Sequence, residues 1–191
     1  MLFPEAHDVR HTVEQALSLV YRNDLYLIRH SVHERSLTFR LGFYLQQLFP
    51  DWDVDCEYNK NCKTLWHNKY LSHRCHAKPW LDCAHCKGET KSQCTVFPDV
   101  IVHKRGTKHN LLVIEAKKNA VKNAREEDIA KIKAYLEEST LHYQYGLFIN
   151  FKSSLELTRK NLRFFPESQF ASDSFPPPQL PEPGLTNNEV K

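Results

Sequence analysis

Two short apolar runs are bordered by residues of the types needed for metal-dependent phosphodiester chemistry. The first run covers residues 100–103 and follows Asp99, and the second covers residues 111–114 and leads into Glu115 and Lys117. The segment between the runs is polar and contains a glycine, which is typical of a hairpin turn. A hairpin centred on that segment places Asp99 directly opposite Glu115.

The predicted pairing requires a cation. Opposed residues in an antiparallel ladder have Cβ atoms about 5 Å apart, and two carboxylates at that distance repel each other unless positive charge lies between them. Side chains alternate along a strand, so Lys117 projects on the same face as Glu115. We therefore expect a divalent-metal phosphodiesterase site. The simpler alternative is a salt bridge between Glu115 and Lys117 at the end of the strand.

The composition is that of a globular protein. The chain has 191 residues, a formal charge of +3, 41% hydrophobic residues and 12% aromatic residues, which predict a single domain over residues 1–165 with an α/β or α+β fold. No apolar run approaches the length of a membrane span. The first residues lack the pattern of a secretory signal, so we expect a cytoplasmic protein whose six cysteines are thiols or metal ligands.

Helical spacing of apolar residues predicts helices over residues 9–21 and 32–49. Glu34 lies three residues before Leu37 and belongs to the apolar stripe of the second helix, so its side chain is predicted to face the core. Its alternative role is a capping box, in which the Glu34 carboxylate accepts a hydrogen bond from the backbone of Ser31. The two roles are compatible.

The remaining pattern predicts two strands, a helix and a tail. Alternation over residues 52–58 predicts a strand with one buried face. A helix is predicted over residues 124–138 and a strand over residues 143–151, whereas residues 153–165 fit either structure. From residue 166 to residue 191 the chain is polar and rich in proline, which is typical of a disordered tail.

Residues 59–96 form a Cys/His-rich insertion between the first two strands, with seven Lys or Arg residues against two acidic residues. The segment has no core-forming period, so something other than hydrophobic burial must hold its shape. A Cys-x7-Cys-x2-Cys-x7-Cys array fits a structural, four-coordinate zinc site formed by Cys75, Cys83, Cys86 and Cys94. One ligand could instead be Cys62, His73, His76 or His85. The alternative is a loop of reduced cysteines without metal.

The predicted order is helix, strand, strand, strand, helix, strand, with acidic residues on the second and third strands. Together with Pro98-Asp99, Glu115-Ala116-Lys117 and Glu34 on the first core helix, this order resembles the PD-(D/E)XK nuclease superfamily. The resemblance covers roughly residues 30–151 and is closest in kind to small stand-alone bacterial and phage-associated members. It implies a restriction-endonuclease-like fold with a mixed central sheet flanked by helices. The Cys/His-rich insertion departs from the minimal core.

The resemblance implies metal-dependent hydrolysis of DNA, with RNA left open, in phage defence, mobile-element biology or repair. Mg²⁺ or Mn²⁺ would be held by Asp99, Glu115 and the carbonyl of Ala116, while Lys117 would orient the attacking water or help to deprotonate it. Glu34 would bind a second metal, hold a water molecule or position Lys117.

Basic residues near the site are candidates for phosphate contacts. They are Lys104, Arg105 and Lys108 in the hairpin turn and Lys131 on the helix predicted over residues 124–138. For Lys131 the alternative is a surface ion pair with Asp128, three residues earlier.

The insertion is compatible with more than one kind of partner and with a second class of function. Its basic residues could contact DNA, or it could dock a partner protein, and members of the resembled fold also form homodimers. The second class of function is a non-catalytic zinc-containing module that uses the same fold to bind nucleic acid or protein.

Overall fold

The computed structural model describes residues 2–30, 32–58, 70–71, 94–95 and 97–171. Its helices are α1 (Ala6–Asn23), α2 (Leu25–Arg29), α3 (Glu34–Leu48), α4 (Lys122–Glu137) and α5 (Leu155–Lys160). Its strands are β1 (Asp53–Cys56), β2 (Tyr70–Leu71), β3 (Cys94–Thr95), β4 (Val100–His103), β5 (Asn110–Lys118), β6 (Tyr143–Phe151) and β7 (Arg163–Phe165).

Within the described ranges, five strands form one mixed sheet in the order β1-β4-β5-β6-β7. β5 pairs with β6 in parallel, and the other neighbours are antiparallel. A parallel pair needs a long crossover connection, and here α4 supplies it. The predicted α+β fold, with a mixed sheet flanked by helices, is confirmed.

The β4–β5 hairpin has the register that the sequence predicts. Val100 lies opposite Ile114 and Val102 lies opposite Leu112. The same register, continued by one residue, places Asp99 opposite Glu115. The ladder becomes irregular only near the turn, after Val102.

Helices cover the two faces of the sheet. One core cluster joins apolar residues of α1 and α3 to Val100, Val102, Leu112 and Ile114 of the central strands. The alternate residues Ile101 and Val113 pack with Tyr135 of α4. Glu115 and Lys117 follow Val113 at the strand period of two, which directs them to the α4 face.

Gly146 of β6 allows α4 to approach the sheet closely. A Cβ atom at Gly146 would overlap the side chain of Ile132 and touch Leu136. The close approach brings the polar side chains of α4 within reach of those at the end of β5.

Several boundaries differ from the prediction. α3 begins at Glu34, directly after the N-cap residue His33, whose Nδ1 accepts a hydrogen bond from the backbone N–H of Arg35 at 3.2 Å. Glu34 is therefore the first helical residue and does not occupy the third position that a capping box requires, whereas Ser31 lies outside the described residues. The ambiguous segment 153–165 contains both α5 and β7.

The fold continues past the predicted start of the tail. Phe170 is buried and stacks on Phe164 with ring centroids 4.7 Å apart. Residues 172–191 lie outside the described residues, as does most of the predicted insertion. Among the helices of the described ranges, none is long and apolar enough to cross a membrane.

Candidate active site

The end of β5 carries a cluster of ionisable side chains that includes the four predicted catalytic residues. Glu34 comes from the first turn of α3, Asp99 precedes β4, and Glu115 and Lys117 lie on β5. α4 adds Asp128 and Lys131, which contact Lys117 and Glu115 respectively. The site is therefore built from α3, the segment before β4, β5 and α4.

Asp99 is fixed by hydrogen bonds on both sides of β4. Its Oδ2 accepts a hydrogen bond from the backbone N–H of Ala116 at 2.8 Å. Its own carbonyl accepts one from the backbone N–H of Glu57 at 3.2 Å. The half-buried carboxylate is thus held at the start of the strand, one residue beyond the last regular pair of the hairpin.

Glu115 is the most deeply buried acid of the cluster, with a side chain 1% exposed. Lys131 Nζ lies 2.7 Å from its Oε1. The contact is an ion pair but not a well-directed hydrogen bond, since Oε1 has no hydrogen-bond partner of good geometry among the described residues. Burial raises the pKa of Glu115 from 4.5 to about 7; Lys131 opposes the rise, whereas Asp99 adds to it.

Lys117 is held between two carboxylates. Its Nζ donates a hydrogen bond to Glu34 Oε1 at 3.0 Å and lies 3.8 Å from Asp128 Oδ2. Burial by itself would lower the pKa of Lys117, but the hydrogen bond to Glu34 and the neighbouring negative charges outweigh it, so the pKa is raised. Lys117 therefore remains a cation and a hydrogen-bond donor, and in this arrangement it is unsuited to removing a proton from water.

Asp128 is a further site residue, for which the sequence favoured a surface ion pair with Lys131. Its side chain is 13% exposed and its Oδ2 accepts no hydrogen bond from the described residues. Burial raises its pKa, although Lys117 and Lys131 oppose the rise. The signal in the sequence is its spacing, since Asp128 precedes the buried Ile132 and Tyr135 by four and seven residues and shares their face of the helix.

The net charge of the cluster would be balanced by one divalent cation. Four carboxylates face two ammonium groups, giving a charge of −2 when all are ionised. Carboxylate oxygens are the ligands that Mg²⁺ and Mn²⁺ prefer, and the buried Oε1 of Glu115 lacks a well-directed partner among the described residues. The donor set therefore fits a hard divalent ion.

The carboxylates do not converge on one point in this conformation. Within the described ranges, no three acidic, histidine or cysteine side chains lie close enough to hold a metal ion directly. The ion pairs account for this, because Glu34 is turned to Lys117 and Glu115 to Lys131. Metal binding would require at least one of these ammonium groups to move.

A cleft of about 430 Å³ opens beside the cluster. Its lining comes from the start of α3, the end of β1 and the segment before β4, and consists of His33, Glu34, Arg35, Thr38, Glu57, Phe97 and Asp99. Glu34 and Asp99 are therefore the acids of the cluster that face the cleft.

The predicted phosphate-binding residues lie in different surroundings. Lys108 is exposed in the turn, and Lys104 lies over the ring of Trp52, 5.9 Å from its centroid. Arg105 donates to Asp55 through Nε at 2.8 Å. Lys131 points inward to Glu115.

Arg105 belongs to a network of ion pairs that neutralises its charge. Its guanidinium also lies 3.5 Å from Asp53, and His103 Nε2 lies 2.8 Å from Asp55. Although burial would raise the pKa of Asp55, hydrogen bonds from His103 and Arg105 hold it well below its usual range. Arg105 is therefore a weaker candidate for phosphate binding than the exposed Lys108.

The predicted zinc site falls almost entirely outside the described residues. Cys94 belongs to β3, whose backbone pairs it with Leu71 of β2. Cys75, Cys83 and Cys86 lie outside the described ranges, together with the alternative ligands Cys62, His73, His76 and His85. The zinc site thus stays a prediction from cysteine spacing.

No protein-family model, curated protein or solved structure matches the chain. The case for a function rests on the geometry and chemistry of the site.

Proposed function

We propose that the protein is a metal-dependent nuclease that hydrolyses DNA phosphodiester bonds through a PD-(D/E)XK site. The observation that carries the proposal is the hairpin register, which brings Asp99 opposite Glu115 with Lys117 on the same face. Glu34 adds a fourth residue through its 3.0 Å hydrogen bond to Lys117. Acids and a lysine at the end of the central strand of a sheet, beside a cleft, have the donor set for metal-assisted phosphoryl transfer.

The order of elements supports the same proposal. Apart from the separate β2–β3 pair, the elements α3, β1, β4, β5, α4 and β6 have the order helix, strand, strand, strand, helix, strand. This is the order expected of the restriction-endonuclease-like core, and the acids lie at the second and third strands of that order. Short motifs match by chance, but an agreement between motif, register and element order is much harder to obtain by accident.

The site residues would divide the chemistry among them. Asp99, Glu115 and the carbonyl of Ala116 would hold Mg²⁺ or Mn²⁺, which when bound polarises the phosphate and offsets charge in the transition state. Lys117, kept protonated by its acidic neighbours, would donate to a phosphate oxygen or orient the attacking water. Glu34 would fix the Lys117 ammonium at the edge of the cleft.

Cleavage of DNA by the purified protein tests the proposal. Supercoiled, linear and single-stranded DNA are incubated with Mg²⁺ or Mn²⁺, and we expect nicking or degradation that Asp99→Ala and Lys117→Ala abolish. Lys160→Ala is the matched control, because among the described residues Lys160 forms an exposed ion pair with Glu156 and lies outside the cluster. Equal cleavage by the wild type and both site variants would overturn the assignment.

One observation favours a second candidate, a non-catalytic zinc-containing module that binds nucleic acid or protein. Glu34 and Glu115 each have a lysine partner, so ion pairs already compensate two of the four acids. Calorimetric titration with Mg²⁺ and Mn²⁺ separates the candidates. No binding and no cleavage, together with about one zinc ion per chain by elemental analysis, would favour the module.

A further inference from the structure

Phe97 is an exposed aromatic residue at the mouth of the candidate active site. Its side chain lines the cleft together with Glu34 and Asp99, and the residue is 52% exposed. One residue, Pro98, separates Phe97 in the chain from Asp99, whose carboxylate is proposed to hold the metal. The ring is outside the buried core clusters and offers an aromatic surface to the cleft.

The backbone holds Phe97 in a restricted conformation. Pro98 follows it and is buried, and a residue before proline is confined largely to extended conformations. Asp99 on the other side of Pro98 is hydrogen-bonded to Ala116 and Glu57. The ring is thus attached to a fixed point of the sheet while one part of it faces solvent.

The groups around Phe97 are of the types that contact the sugar and phosphate of a nucleotide. Arg35 lines the same cleft, and its side chain is 73% exposed although it forms a 2.7 Å ion pair with Glu57. His33 accepts a hydrogen bond at Nδ1 from the backbone N–H of Arg35, so its Nε2 carries the proton and can donate. The cleft therefore combines an aromatic surface and a polar donor with one cation, Arg35, and three acids, Glu34, Glu57 and Asp99, whose negative charge a bound divalent cation would offset.

We propose that Phe97 stacks on an unpaired nucleobase next to the scissile phosphate, so that the preferred substrate is single-stranded DNA or a strand with a displaced base. The inference rests on the proposed nuclease function. Inside a duplex the faces of each base are covered by its neighbours, so stacking on a paired base first requires a base step to be unstacked, whereas an unpaired base is open to the ring at no such cost. The cleft volume of about 430 Å³ lies toward the lower end for small-ligand pockets, which suits a nucleotide better than a duplex.

The test measures stacking independently of cleavage. A single-stranded oligonucleotide carrying one 2-aminopurine is titrated with protein in Ca²⁺ and again in EDTA, and binding and fluorescence quenching are recorded. We expect the wild type to quench the probe, Phe97→Ala to bind about tenfold more weakly with little quenching, and Phe97→Trp to retain both properties. A fully paired duplex with the same probe should bind more weakly than the single strand.

Phe39→Ala is the matched control, because Phe39 is 63% exposed on α3 but does not line the cleft. It should bind and quench as the wild type does, and thermal melting checks that each variant is folded. Absence of quenching by the wild type, or identical behaviour of folded Phe97→Ala and wild type, overturns the inference. Phe97-dependent quenching without cleavage in any metal overturns the proposed nuclease function alone.

Discussion

Replacing Glu115 with glutamine should stabilise the metal-free protein at high pH and change its stability little at low pH. Burial raises the pKa of Glu115 from 4.5 to about 7 in the folded protein. As the pH rises above 4.5, the unfolded chain releases this proton before the folded protein does, so the free energy of unfolding falls until the pH passes about 7. Glutamine carries no such proton and removes this dependence.

The size of the effect follows from the pKa shift. A rise from 4.5 to about 7 corresponds to about 3 kcal/mol between pH 4 and pH 8, at 1.36 kcal/mol for each pKa unit. Solvent screening does not reduce this figure much, because the Glu115 side chain is 1% exposed. The substitution also removes the partner of Lys131, but that ammonium is 33% exposed and can turn to water.

Urea denaturation in EDTA at pH 4, 6 and 8 measures the difference between Glu115→Gln and the wild type. We expect the difference to grow with pH in favour of the variant. Glu156→Gln is the control, because that side chain is exposed, pairs with Lys160 within the described part of the chain, and should show no comparable rise. Parallel curves for wild type and Glu115→Gln across this range would refute the reasoning.

Metal addition extends the same experiment. At 100 times the dissociation constant, Mg²⁺ should stabilise the wild type by about 2.7 kcal/mol. It should stabilise Glu115→Gln much less, since the amide is a weaker ligand for a hard cation. Equal stabilisation of both proteins by Mg²⁺ would place the metal elsewhere.

Two further substitutions probe the contribution of α4. Asp128→Asn should lower the cleavage rate by roughly 10- to 100-fold, because Asp128 helps to hold the Lys117 ammonium. The affinity for DNA in Ca²⁺ should be preserved. An unchanged single-turnover cleavage rate would contradict this expectation. Lys131→Met leaves the buried Glu115 without its cation and should lower the free energy of unfolding at pH 8 by roughly 3 kcal/mol. The double variant with Glu115→Gln should recover most of that loss in urea denaturation, and a failure to recover would show that Lys131 acts through other contacts.

The sequence by itself determined the pairing within the β4–β5 hairpin. The two apolar runs and the polar turn are neighbours in the chain, so the register followed from the position of the turn. Strand alternation then placed Glu115 and Lys117 on one face. The helix and strand positions around this hairpin were also predictable, because their periods of 3.6 and 2 are local properties of the chain.

The tertiary structure decided which side chains complete the site. Periodicity shows that Asp128 shares a face with Ile132, but it does not show which part of the sheet that face covers. The crossover from β5 to β6 and the close approach at Gly146 placed α4 so that Lys131 meets Glu115 instead of Asp128, the partner that local spacing favoured. Ion pairs between distant elements depend on this docking, and the sequence contains no local signal of it.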